Sequence, residues 1–190
     1  MIIFDPDLDA DRSPRRKPTR SAATTLRAHS TSNRIPSART LARFLLEAQR
    51  LVRLRGQVSV LLTTDKEIRR LNRTFRGKNK ATDVLSFPSA TPTLVSKSRP
   101  GAPADLGTRA DVGVPDIAGD LAISVDTARK QAAGLGHALR VEIKVLMLHG
   151  LLHLAGYDHE TDEGEMGRLE ERLRAKLRLP HGLIERSVVA

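Results

Sequence analysis

Apolar positions along the chain fall into two spacings, every second residue and every third or fourth, and the two alternate as strands and helices do. Ile2-Ile3-Phe4 reads as a short strand ended by Asp5-Pro6. Ser37 follows Pro36 and can cap a helix on which Leu41, Phe44, Leu45, Ala48, Leu51 and Val52 share a face, with Gly56 as its stop. Val58-Ser59-Val60-Leu61-Leu62 is rich in β-branched residues and predicts a strand. Thr64 or Asp65 caps the next helix, Glu67 lies in its first turn, and Ile68, Leu71 and Phe75 continue its apolar face. A turn at Gly77-Lys78-Asn79-Lys80 leads to a strand over 83–87, closed by Pro88. Leu121-Ala122-Ile123-Ser124 predicts another strand, and a helix starts at Ser124 or Asp126 and runs to about Leu135.

The segment from Val141 to Leu154 is apolar around nearly its whole circumference, the pattern of a helix buried at the centre of a domain. Asp162 through Leu179 is amphipathic, with Met166, Leu169, Leu173 and Leu177 on one side and Pro180 as its stop. Alternating strands and helices give an α/β (α+β) class, with a small mixed sheet packed against about five helices. Residues 9–36 hold Pro, Ser, Thr, Arg and Ala, and 89–117 Pro, Gly, Ser and Thr, with little periodicity; both read as flexible inserts in one domain spanning 1–190.

Composition adds chemistry to this frame. The 190 residues contain no Cys, which excludes a disulfide scaffold, a thiolate metal site and a cysteine nucleophile. No run of eighteen apolar residues occurs, and the first residues lack the pattern of a signal peptide, so a cytoplasmic protein without a membrane span is expected. The net charge is +10, and residues 37–80 supply most of it, with 12 basic and 3 acidic groups. Such a surface suits a polyanion, although a solvated basic helix face would look the same. Aromatics are few (four Phe, one Tyr, no Trp), which argues against a stacking platform and for binding through phosphates, weakening steeply with salt.

The segment His149-Gly150-Leu151-Leu152-His153-Leu154-Ala155-Gly156-Tyr157-Asp158-His159 concentrates half of the six histidines. His149 and His153, at i and i+4, put two imidazoles on one helical face, one turn apart. Gly156 can end the helix in a left-handed conformation and let His159 return to the same point. Three neutral imidazoles leave a position on Zn²⁺ for water. A lone histidine on such a helix is more often a hydrogen-bonded core residue; the pair and the third member favour a metal. Gly150 stands where zinc proteases carry their Glu base, so protease-type chemistry lacks its base. Asp158 and Glu160 flank His159, as residues that orient an imidazole or as ordinary polar loop residues.

The histidine segment resembles the three-histidine signature of the YbeY family of bacterial endoribonucleases, also called rRNA maturation factors. Leu71 through Pro88, with Asn72, Phe75-Arg76 and Thr82-Asp83-Val84-Leu85-Ser86-Phe87-Pro88, is similar to a second stretch of that family, and Gly119-Asp120-Leu121 to a third. The resemblance covers about residues 37–88 and 117–180; the two inserts are longer than expected of a minimal member. It implies a single metal-dependent domain with one zinc ion on His149, His153 and His159. The implied activity is a single-strand-directed RNase acting on rRNA and ribosomal particles, in 16S rRNA maturation and ribosome quality control, with no DNA or membrane partner. It also implies a functional Arg76, whose guanidinium suits a phosphate; without the resemblance a surface salt bridge would be the plainer role. Asp120 is a further candidate, as base or as partner of a histidine, or simply as a strand-start residue. Two other functions stay open at this point: a metal-dependent hydrolase of peptides or esters, and a non-catalytic ribosome-assembly factor with a structural zinc.

Overall fold

A computed structural model describes residues 1–8, 33–89, 116–159 and 162–180. Four strands form one mixed sheet: β1 (Ile2–Phe4), β2 (Gln57–Thr63), β3 (Val84–Pro88) and β4 (Ile117–Ser124), in the order β1-β2-β4-β3. β1, β2 and β4 run parallel, and β3 pairs with β4 antiparallel as an edge strand. Five helices pack on it: α1 (Ala38–Val52), α2 (Asp65–Arg76), α3 (Val125–Gly134), α4 (Leu139–Leu154) and α5 (Glu165–Lys176). This is the expected α+β class.

The main core lies on one face of the sheet, where Val58, Val60, Leu62, Leu121 and Ile123 meet α1, α3, α4 and α5. Helix α4 is its centre, with eleven of sixteen residues buried, including Ile143, Met147, Leu148 and Leu151. The other face is smaller: Leu85 and Ala122 are capped by Ile68 of α2, with Leu61, Leu71 and Phe87 around them. Polar contacts at the helix N-termini hold α2 in place. The Asp65 carboxylate accepts from Ser124 Oγ at 2.5 Å and Thr127 Oγ1 at 2.6 Å, while the Asp65 N–H donates to Asp126 Oδ2 at 3.0 Å.

Several boundaries differ from the sequence reading. α1 ends at Val52 rather than at Gly56. Arg53 takes the left-handed conformation at φ 62, and Leu54 folds into the core while its N–H donates to the Gln49 carbonyl at 3.1 Å. The burial of Leu54 outweighs the cost of a left-handed arginine. α5 is shorter than 162–179, running only from Glu165 to Lys176: Gly164 at φ 80 precedes it, and the Asp162 carboxylate accepts from the Gly164 and Met166 N–H groups at 2.8 and 2.7 Å. β4 begins at Ile117, so the end of the expected insert 89–117 belongs to the sheet. Ile35, inside the expected insert 9–36, packs against the core. Residues 9–32 and 90–115 lie outside the described residues.

Gly119 lets β4 lie close against both β3 and α4. Its φ is +147, and a Cβ there would stand 2.4 Å from the Phe87 carbonyl oxygen and 2.8 Å from Leu154 Cδ2. The backbone oxygen cannot move aside, so Gly119→Ala should lower stability by more than about 2 kcal/mol. Gly134, on α3, has open space and ordinary φ, so Gly134→Ala should be neutral or stabilising by up to about 0.5 kcal/mol. Urea unfolding of the two variants checks this; equal effects would contradict the close approach at Gly119.

Candidate metal centre

Helix α4 meets the sheet through Gly150. A Cβ there would lie 2.7 Å from Leu121 Cδ2 and 3.4 Å from Ser86 Oγ, and Ser86 Oγ donates to the Gly150 carbonyl at 3.4 Å. The position that zinc proteases give to a Glu therefore faces the sheet. His149 and His153 project from a different part of the same helix and remain only partly buried. Past Leu154 the helix unwinds through Gly156, at φ +85, whose N–H donates to the His153 carbonyl at 3.0 Å. The chain turns back and brings His159 against the pair.

The three rings form a triangle. Centroids are 4.7 Å apart for His149–His153, 5.6 Å for His149–His159 and 5.3 Å for His153–His159. One ring nitrogen of each lies within 4.8 Å of the other two, and His149 Nε2 and His153 Nε2 are 3.1 Å apart. Both ring nitrogens of His159 are buried without a hydrogen-bond partner, a costly state for a polar group. Burial first, then the neighbouring His149 and His159, push His153 down to a pKa of about 4, so its lone pair is available at neutral pH. Converging imidazole nitrogens with an unsatisfied member are the donor set of a divalent transition ion, and the residues fit one. Among the described residues no carboxylate joins them within 4.8 Å, Asp158 included. The set is one ligand short of the four that close a structural zinc site.

A charged pair that the sequence reading did not single out supports this cluster from α5. His149 Nδ1–H donates to Glu170 Oε2 at 3.1 Å, which fixes the tautomer and turns Nε2 toward His153. Glu170 Oε1 in turn accepts from Arg174 Nε at 3.0 Å and from Arg174 Nη2. Both are almost wholly buried. Burial pushes the Glu170 carboxyl up, but His149 and Arg174 outweigh it and hold it below the usual carboxylate range. The signal was in the sequence: Glu170 and Arg174 sit on the stripe of Met166, Leu169, Leu173 and Leu177, where an amphipathic helix should be apolar.

The other two expected site residues lie apart from the triangle. Arg76 is the last residue of α2, exposed, with no hydrogen bond or ion pair among the described residues. Asp120 is exposed on β4 and pairs across the sheet with Phe87 and Ser59. Strand alternation sends Leu121 and Ser86 toward α4 but Asp120 and Phe87 toward α2. The structure brings the three histidines together and places Asp120 on the opposite face of the sheet.

The family model described as Endoribonuclease YbeY matches residues 25–178. Proteins named Endoribonuclease YbeY from Koribacter versatilis and Solibacter usitatus are each 48% identical, over 80% and 77% of this chain and 84% and 83% of theirs. One from Nautilia profundicola is 47% identical over 68% of this chain and 78% of its own. A solution structure from Thermotoga maritima is 23% identical with a TM-score of 0.43, over 76% of this chain and 88% of that one, too loose a likeness to argue from.

Two outcomes are expected. His153→Ala should bind no stoichiometric zinc, and Glu170→Gln should weaken zinc binding by roughly 10–100-fold with the fold intact, measured by competition with a chromogenic chelator. Metal-free protein should lose stability on acidification. Between pH 6.5 and about 4 the unfolded chain binds a proton at His153 that the folded chain refuses, so stability is full above that window and falls through it. Thermal midpoints of the metal-free protein against pH should show this slope, reduced in His153→Ala.

Proposed function

The chain belongs to the endoribonuclease YbeY family, and on that premise we propose that it cleaves phosphodiester bonds of single-stranded RNA at the histidine triangle. It acts on rRNA and ribosomal particles in the cytoplasm, in maturation of 16S rRNA ends and in ribosome quality control. Residues 1–190 work as one domain with inserts at 9–36 and 89–117. The observation that carries the reading is the convergence of three imidazole nitrogens, His159 otherwise unsatisfied, with no fourth protein ligand among the described residues. No helix of the described residues is long and apolar enough to cross a membrane.

His149, His153 and His159 hold the ion, and zinc suits their number and type. A bound divalent ion supplies hydroxide near neutral pH and polarises a phosphate oxygen. Glu170, held by Arg174, keeps the His149 lone pair directed at the site. Arg76 brings a planar fork of donors to a phosphate; it is exposed and has no partner among the described residues, which suits that contact. Asp120 takes no part at the ion in this reading, because it faces the other side of the sheet. The two alternatives have less support. A peptide or ester hydrolase would lack the Glu base, and a structural zinc would want a fourth ligand.

Arg76→Ala should retain wild-type zinc content and lose cleavage of a single-stranded oligoribonucleotide by about 100-fold or more. His153→Ala, prepared alongside, should lose both and so excludes a contaminating nuclease. Cleavage by Arg76→Ala at the wild-type rate would remove the assigned role.

A further inference from the structure

Phe75 is the most exposed large apolar side chain among the described residues, 64% accessible. It lies on the stripe of Ile68 and Asn72 that turns α2 toward the sheet, but one turn beyond the part of the sheet that α2 covers. Beneath that overhang its ring meets Phe87, with centroids 5.2 Å apart and planes at 70°. Phe87 belongs to a cross-strand row, Ser59–Asp120–Phe87, next to the row Leu61–Ala122–Leu85 that Ile68 closes off. Ser59, Asp120 and Phe87 all retain solvent exposure. Two of the five aromatic side chains of this chain thus meet at one end of the sheet, which the described residues leave exposed.

The surroundings suit one kind of occupant. Arg73 and Arg76, exposed and unpaired among the described residues, flank Phe75 on the last turn of α2, and Lys78 and Lys80 follow. They belong to the stretch 37–80 with its 12 basic and 3 acidic groups. An aromatic face beside cationic side chains is the combination that holds single-stranded nucleic acid, stacking on the base and pairing with the phosphate. Asp120 adds an acceptor at the rim. Its Cβ should stand about 5 Å from that of its partner Phe87.

We propose that Phe75, Phe87 and Asp120 form a nucleobase subsite. One base of the RNA stacks on Phe75, and Asp120 accepts a hydrogen bond from the base's exocyclic amino group. The proposal rests on RNA being the ligand, as in the function proposed above. Cytosine, adenine and guanine carry such an amino group and uracil does not, so the subsite disfavours uracil. β3 is an edge strand with Ser86 against α4 on its other face, so the strand passes the edge of β3 between the subsite and the histidines.

The test uses the full-length, zinc-loaded protein and short single-stranded oligoribonucleotides containing 2-aminopurine. Stopped-flow fluorescence reads stacking before cleavage, and steady-state kinetics reads KM and kcat. Phe75→Ala should weaken binding and raise KM about tenfold, with zinc content and melting temperature unchanged, and Phe75→Trp should restore both. Asp120→Asn should narrow the preference for oligo(C) over oligo(U). Wild-type binding by Phe75→Ala, or full function of Phe75→Leu, would overturn the subsite while leaving the nuclease reading untouched. Phe75-dependent quenching without any cleavage by the wild type would support the subsite and overturn the nuclease reading.

Discussion

Helix α4 can lie where it does because residue 150 has no side chain. Leu121 and Ser86 occupy the space a Cβ would need. That approach lets the most apolar helix of the chain press on the sheet with Ile143, Met147, Leu148 and Leu151 wholly buried. It also sets where the histidines sit. His149 precedes the contact and His153 follows it by less than a turn, so both are carried by the buried central helix rather than by a loop. Only His159 is delivered by a turn.

The support from α5 has a different energetic character. A buried Glu170–Arg174 pair is a doubtful source of stability, because removing two charges from water costs several kcal/mol per ion before their attraction is counted. Its value lies in direction. Glu170 gives one oxygen to Arg174 and the other to His149, so the imidazole has one tautomer and one orientation. The fold accepts a costly polar element in its core, and the site acquires a preorganised ligand.

The histidine triangle was legible because its elements are local: i, i+4 spacing, a glycine stop and a third histidine three residues on. The central helix was legible for a similar reason, since a segment apolar on every side has few other places to go. What escaped depends on contacts distant in sequence. Glu170 reaches His149 across 21 residues, and its oddness shows only when α5 is aligned as a stripe. Phe75 and Phe87 looked like ordinary helix and strand residues until packing put them together. The face Asp120 occupies was not legible, because the expected strand began only at Leu121. Once β4 extends to Ile117, alternation alone assigns its face. The end of α1 escaped because the burial of Leu54 outvoted a glycine.

The strand order carries a consequence for how the chain reaches this structure. β1 pairs with β2 more than fifty residues away, and the antiparallel neighbours β3 and β4 are joined through residues 89–116 instead of a tight hairpin. Nearly every ladder must therefore be closed over a long stretch, which makes for slow assembly. The same arithmetic is lenient toward length. Doubling such a connection adds only about 0.6 kcal/mol of closure entropy. The sheet is thus slow to nucleate yet indifferent to how much chain is spliced between its strands, so a long insert need not disturb the histidines beyond it.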